Sequence, residues 1–184
     1  MFATKLMWRH LPELQALAGE LPEYADLELV ELLTRLFGDP TYVLVSRRDK
    51  IRQAVSMWRA LQTRSWRLEH GPNDKSPAEL HYRFEGIDHL VRSLDADDRG
   101  WRDLFAARDI SALEISYEDD LERDRDRTVL AVLERIGVEA PSGWQAAEPT
   151  KRQADALSDE WVASYHRDCA QRSPGERPAA TAAR

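Results

Sequence analysis

The feature of this sequence that most constrains its fold is an apolar strand pattern that ends in two arginines and leads directly into an amphipathic helix. Residues 42–45 form a short, continuously apolar run rich in β-branched side chains, which predicts a strand covered on both faces. Arg47 and Arg48 follow at its carboxyl end. In open α/β sheets, ligands bind outside the carboxyl ends of the strands, and a following helix N-terminus favours anions. The segment therefore predicts a phosphate site on an α/β fold.

The helix predicted over residues 49–63 has two different faces. Its apolar stripe, which we expect to face the core, consists of Ile51, Ala54, Val55, Trp58 and Leu61. Its polar stripe consists of Arg52, Ser56, Arg59 and Thr63. Asp49 is placed to cap the first turn of the helix.

The polar stripe has two interpretations. Ser56 is placed to donate a hydroxyl hydrogen bond to an anion held by Arg47, because phosphate favours charged and neutral donors together. The alternative is a solvated face whose arginines form surface ion pairs, which often carry no function. The residues alone leave both interpretations open.

The other apolar patterns alternate between strands and helices. We predict strands at residues 2–8 and 113–116, and helices over residues 27–36 and 120–136, the last ending at Gly137. A long helical stretch begins near Tyr82 and is expected to break or bend at Gly100. Strands separated by helices imply parallel pairing with right-handed crossovers. The predicted fold class is therefore α/β, with a mostly parallel sheet flanked by helices.

Composition narrows the classes of protein that fit. A chain of 184 residues with 42% hydrophobic content has the size and apolar content of one domain with a core. The net charge of −7 argues against a nucleic-acid partner, which needs a basic surface. A single cysteine, Cys169, fits a reducing compartment, and no stretch is long enough to span a membrane, so a cytoplasmic location is expected. Residues 173–184 have the composition of a disordered tail.

No metal is expected from the histidines. His81 and His89 are eight residues apart, which separates them by two turns of a helix and is too far for one ion.

Four segments, in the same order along the chain, resemble segments of sulfotransferases. They are Phe-Ala-Thr-Lys-Leu-Met-Trp at residues 2–8, Arg47 with Ser56 and the following Met-Trp-Arg-Ala-Leu-Gln-Thr, Tyr-Glu-Asp-Asp-Leu at residues 117–121 with one extra Asp, and Arg-Gln-Ala-Asp at residues 152–155 with Ser158-Asp-Glu-Trp161 and Tyr165. The resemblance is to the bacterial trehalose 2-sulfotransferase family and extends from about Lys5 to Asp168.

The resemblance implies an enzyme and its donor. Sulfotransferases transfer a sulfuryl group from 3′-phosphoadenosine 5′-phosphosulfate (PAPS), here to a carbohydrate hydroxyl of a trehalose-like sugar or glycolipid. The implied fold is a three-layer, P-loop-like α/β domain over residues 1–172, and the implied assembly is a homodimer. No metal takes part.

The same resemblance assigns roles to individual residues. Arg47 and Ser56 are expected to bind the 3′-phosphate of the donor, and Arg152 and Gln153 to cover it. Lys5, the one charged residue of the predicted strand at residues 2–8, is the candidate for stabilising the leaving group. Independently of the resemblance, the candidates for contacting the sugar are Trp8 and Trp66, whose aromatic faces suit the apolar side of a pyranose ring, together with His10.

One part of the family pattern has no counterpart in this sequence. Sulfotransferases bind the 5′-phosphosulfate on a strand, a Ser/Gly/Thr-rich loop and a helix, and no such loop follows a strand here. The resemblance implies that the catalytic carboxylate comes from that same part of the family. Met7 stands where many cytosolic sulfotransferases have a histidine base, so no base is expected at that position here. We therefore expect an N-terminally truncated sulfotransferase-like domain. The alternative function is a non-catalytic domain that binds an anionic nucleotide or a partner.

Overall fold

The computed structural model describes residues 2–63, 80–146 and 156–172. In these residues the helices are α1 (Leu11–Ala18), α2 (Leu29–Phe37), α3 (Lys50–Thr63), α4 (Phe84–Ala107), α5 (Arg125–Arg135) and α6 (Ala156–Gln171), and the strands are β1 (Val43–Ser46) and β2 (Leu113–Ser116). A 3₁₀ turn spans Trp8–His10 and a π-helical turn spans Tyr117–Leu121.

The chain forms two compact units, each made from two separate stretches of sequence. The sheet unit comprises Met1–Ser46 and Asp97–Trp144, and the helical unit comprises Arg47–Ala96 and Gln145–Arg184. The expectation of a single domain over residues 1–172 stays a prediction.

The sheet unit confirms an α/β fold with parallel pairing. β1 and β2 pair in parallel, with Val43 opposite Leu113 and Ser46 opposite Ser116. Leu44 and Ile115 are buried on this sheet, whereas Val45 is 57% exposed. The prediction that both faces of β1 are covered is therefore wrong for the described residues. A continuous apolar run indicates a strand, but successive side chains point to opposite faces, and only tertiary packing decides which face is covered.

The strand predicted at residues 2–8 does not form. Residues 2–7 have no regular secondary structure, and Trp8–His10 form the 3₁₀ turn. The described sheet consists of β1 and β2 alone, so the backbone of residues 2–7 has no strand partner there. An apolar pattern does not stabilise a strand unless its backbone groups find a neighbouring strand.

The helical unit has its own apolar core. Its buried side chains come from three helices: Ala54 and Val55 of α3, Phe84, Ile87, Leu90 and Leu94 of α4, and Trp161 and Tyr165 of α6. The predicted core stripe of α3 is confirmed at Ala54 and Val55, but Leu61 is 47% exposed. Ala60 and Thr63 are buried instead. Thr63 tolerates this position because its hydroxyl donates to the carbonyl of Arg59 at 3.1 Å.

Helix α4 is continuous through Gly100, so the predicted break is wrong. Gly100 lies against the indole of Trp8, and a Cβ there would lie 2.1 Å from the ring. Gly86 of the same helix lies against Trp58, where a Cβ would lie 2.7 Å from the ring. Both glycines therefore serve close packing of an aromatic ring on the helix, not a change in chain direction.

The Tyr-Glu-Asp-Asp-Leu segment at residues 117–121 forms the π-helical turn that leads from β2 towards α5. The backbone N–H of Glu122 donates to the carbonyl of Tyr117 at 2.9 Å, which closes a turn one residue wider than an α-helical turn. Asp120 accepts from the backbone N–H of Ser116 at 2.7 Å. The regular helix starts only at Arg125, later than predicted, and ends at Arg135 before Gly137, whose φ is +69°.

Candidate functional site

The start of α3 is organised by the residues that follow β1. Arg47 is half-buried and Arg48 is exposed. The Asp49 carboxylate accepts from the backbone N–H of Arg52 at 2.8 Å, which confirms the predicted cap. Because Asp49 already uses a first-turn N–H group, an anion at this end would be bound chiefly by side chains.

The polar stripe of α3 faces α6. Arg52 Nη1 donates to Asp159 Oδ1 at 2.7 Å, and Arg59 Nη1 donates to the hydroxyl of Ser158, a side chain that is only 4% exposed. Ser56 is half-buried and lies between the two arginines on the same stripe. The stripe is therefore partly covered by α6, and a fully solvated face does not describe it.

Three of the predicted site residues lie in the sheet unit. Lys5 is exposed and belongs to no strand, and His10 is exposed at the end of the 3₁₀ turn. Trp8 is half-buried, and its ring packs edge-on against Trp101 with centroids 5.4 Å apart. These positions are compatible with packing and with ligand contact, and the roles assigned to the three residues stay predictions.

The other predicted site residues lie outside the described residues. They are Trp66, Arg152 and Gln153, and the predicted tail at residues 173–184 is also outside.

Comparison with known proteins decides the family. Residues 1–168 match the Stf0 sulphotransferase family. The chain belongs to this family. It is 38% identical over 170 residues to a trehalose 2-sulfotransferase of Mycolicibacterium smegmatis, and this alignment covers 91% of this chain and 61% of the relative. A trehalose 2-sulfotransferase of Mycobacterium tuberculosis is 36% identical over 166 residues, or 90% of this chain and 60% of the relative. The chain thus spans less than two thirds of the length of these relatives.

This member of the Stf0 family also has a buried polar network in its helical unit that was not predicted from the sequence. Asp88 is 2% exposed; it accepts from the hydroxyl of Tyr165 at 2.8 Å and pairs with Arg92 at 3.0 Å. Burial, followed by the hydrogen bond to Asp88, raises the pKa of Tyr165. The available signal was an aspartate between Ile87 and Leu90 on the apolar stripe of a predicted helix.

A second hydrogen bond joins α6 to the segment before α4. The hydroxyl of Tyr82 donates to Asp168 at 2.7 Å. Burial, followed by this hydrogen bond, raises the pKa of Tyr82. Both tyrosines therefore act as neutral donors that hold α6 in place.

A groove of about 600 Å³ lies in the sheet unit between β2, the π-helical turn and α5. Two of its carboxylates are used locally, since Asp120 accepts from Ser116 and Asp124 caps α5 through the N–H of Arg127. Among the residues that the structure describes, no cluster of His, Cys, Asp and Glu fits a metal ion. None of the helices in those residues is both long enough and apolar enough to cross a bilayer.

Proposed function

We propose that this chain is part of a carbohydrate sulfotransferase that transfers a sulfuryl group from PAPS to a hydroxyl of a trehalose-like sugar or glycolipid. The observation that carries the proposal is the start of α3, where Arg47, Arg48 and Ser56 supply charged and neutral donors on one stretch of chain. Membership of the Stf0 family and two relatives described as trehalose 2-sulfotransferases support it.

The donor set fits a phosphate monoester. Guanidinium groups bind phosphate oxygens through paired N–H groups, and a serine hydroxyl adds a neutral hydrogen bond. Arg47 and Ser56 would hold the 3′-phosphate of the donor, a group that anchors the nucleotide and does not react. Asp49 fixes the first turn of α3 and so holds the backbone that carries these side chains.

When bound, PAPS supplies an activated sulfuryl group and leaves as adenosine 3′,5′-bisphosphate. The contribution of this chain is to hold the nucleotide and to stabilise charge on the leaving phosphate oxygen. Lys5 is our candidate for the second role, since its exposed ammonium is available to donate to that oxygen. Arg152 and Gln153 are proposed to cover the nucleotide.

Trp8, His10 and Trp66 are proposed to contact the acceptor sugar. Aromatic rings suit the apolar face of a pyranose ring, and the packing of Trp8 against Gly100 and Trp101 fixes the position of one such ring. A homodimeric state and a cytoplasmic location belong to the same proposal.

Ligand-dependent unfolding tests the donor site. Adenosine 3′,5′-bisphosphate should raise the unfolding midpoint, and Arg47→Ala, Arg48→Ala and Ser56→Ala should each reduce that rise. Arg83→Ala is the matched control, because it removes the same charge from an exposed arginine of the helical unit whose ion pair with Glu85 is long, at 4.0 Å. If the bisphosphate has no effect on the unmodified chain, or if all three variants keep the full rise, the donor site is wrong.

Transfer itself is tested separately. Labelled sulfate should move from PAPS to trehalose, as measured by recovery of labelled sugar. Nucleotide binding without any transfer would favour the non-catalytic alternative for this chain.

A further inference from the structure

Arg52 has no role in the proposed phosphate site so far, although it lies on the same helix face. Its Nη1 donates to Asp159 at 2.7 Å, and its Nε lies 3.7 Å from Asp49. The Arg52 side chain remains 42% exposed, and that of Asp159 is 63% exposed. The pair is therefore open to solvent and to a ligand.

Helix geometry brings Arg52 next to Ser56. The two residues are four positions apart, so their Cβ atoms are about 5–6 Å apart on one face of α3. A guanidinium has five N–H groups in a planar fork, and Asp159 engages only one end of it. A phosphate bound to the Ser56 hydroxyl would therefore lie within reach of the other N–H groups of Arg52.

We propose that Arg52 is a further ligand of the 3′-phosphate and that Asp159 competes with this phosphate for Arg52, so that Asp159 sets the nucleotide affinity. The inference rests on the proposed function, because it needs a phosphate at Ser56. It assigns to Asp159 a role that lowers affinity.

The competition follows from charge. Asp159 neutralises Arg52 across 2.7 Å, and its carboxylate repels any dianion that approaches the same guanidinium. An asparagine keeps an oxygen that accepts from Arg52, but it removes the negative charge. Asp159→Asn should therefore leave Arg52 in position and make it more available to phosphate.

Calorimetric titration with two nucleotides isolates the 3′-phosphate. Adenosine 5′-monophosphate lacks that group, so only the affinity for adenosine 3′,5′-bisphosphate should respond. For Asp159→Asn we expect the bisphosphate to bind about three- to tenfold more tightly, the size expected for one like charge a few ångströms away at the surface. Arg52→Gln should weaken bisphosphate binding about tenfold, and Arg52→Lys should recover part of it.

Glu160→Gln is the matched control, because it removes the same charge from the exposed next position of α6, and consecutive residues of a helix do not share a face. Its bisphosphate affinity should change less than about twofold. Unchanged or weaker bisphosphate binding by Asp159→Asn, or full affinity in Arg52→Gln, overturns the inference while leaving the proposed function intact. No bisphosphate binding by the unmodified chain overturns both.

Discussion

Asp88 is a carboxylate held at 2% exposure among the apolar side chains of the helical unit. Two partners compensate it: the hydroxyl of Tyr165 at 2.8 Å and the guanidinium of Arg92 at 3.0 Å. A buried charge is stable only while its hydrogen bonds are made, so the loss of one partner exposes the full desolvation penalty. The contact also joins α4 to α6.

We predict that Tyr165→Phe lowers the free energy of unfolding by about 1–3 kcal/mol, because it leaves one oxygen of Asp88 without a donor. Chemical denaturation measures this change. Tyr24→Phe, in the sheet unit, serves as the control and should change the value by less than about 0.5 kcal/mol. An equally small change for Tyr165→Phe would contradict the role given to the hydrogen bond.

The raised pKa values of Tyr82 and Tyr165 predict a loss of stability at high pH. The unfolded chain releases these protons near the ordinary tyrosine pKa of 10.0, whereas the folded chain retains them to higher pH. The contribution of these two tyrosines to the free energy of unfolding is therefore fully present below pH 10.0 and decreases as the pH rises above it. Unfolding free energies measured across this range should fall more steeply for the unmodified chain than for a variant carrying Tyr82→Phe and Tyr165→Phe. Parallel curves would rule out the linkage.

Residue-level prediction from sequence succeeded where the contact is local. The Asp49 cap joins residues three positions apart, so the pattern alone specified it. The pair between Arg52 and Asp159 spans 107 positions and has no local signal. The polar stripe of α3 was visible in the sequence, but what covers it was not.

At the scale of elements, α4 is the clearest case of a helix fitted to its neighbours. Two of its glycines, Gly86 and Gly100, each lie against an indole. Glycine inside a helix normally costs about 0.5–1 kcal/mol relative to alanine, so substitution by alanine would be expected to stabilise the helix. Here the missing Cβ makes room for the rings of Trp58 and Trp8. At these two positions we therefore expect alanine to destabilise the helix instead of stabilising it.

We predict that Gly86→Ala destabilises the chain by about 1–3 kcal/mol, because the new Cβ would lie 2.7 Å from the Trp58 ring. Denaturation of the single variant and of a double variant with Trp58→Leu measures the coupling. The cost of Gly86→Ala should largely disappear once Trp58 is replaced. A stabilising effect in the unmodified background would contradict the contact.

The helices that were predicted well are those whose own residues suffice to form them: α2, α3 and, apart from the break wrongly placed at Gly100, α4 have helical periodicity over two turns or more. β1 is a short apolar run and β2 alternates apolar with polar residues, and each forms because the other pairs with it. The strand predicted at residues 2–8 failed because a strand needs a partner, which a local pattern cannot supply. The π-helical turn was not predicted, although its segment carries one more Asp than the family pattern. An additional residue at a strand-to-helix junction is accommodated by a wider turn.

At the scale of the whole molecule, sequence order and spatial grouping differ. The helical unit combines two stretches that are separated in the sequence by residues 97–144 of the sheet unit. Its core joins residues from α3, α4 and α6, and α6 alone contributes Trp161 and Tyr165. A pattern read along the chain shows which helices are amphipathic, but not which of them share a core.

This grouping leads to a prediction about where nucleotide binding changes the dynamics. The proposed 3′-phosphate ligands Arg47 and Ser56 both belong to the helical unit, and Arg52 and Arg59 connect α3 to the first turn of α6. A ligand that binds only the folded unit suppresses its opening, by about 2.7 kcal/mol at a ligand concentration of 100 times Kd. Hydrogen exchange in α3 and α6 should therefore slow, up to about 100-fold for amides that exchange through opening of the whole unit.

Comparing adenosine 3′,5′-bisphosphate with adenosine 5′-monophosphate at the same concentration separates the 3′-phosphate from the rest of the nucleotide, because the ligand that binds more tightly suppresses opening more. Mass spectrometry should find the additional protection in peptides from α3 and α6, and Ser56→Ala should reduce it in both helices together, because packing and two polar contacts couple them. Protection that rises in α3 but not in α6 would mean that α6 does not respond to the phosphate. Equal protection by both nucleotides would mean that the 3′-phosphate does not bind at this surface and that the arginines of α3 have a purely structural role.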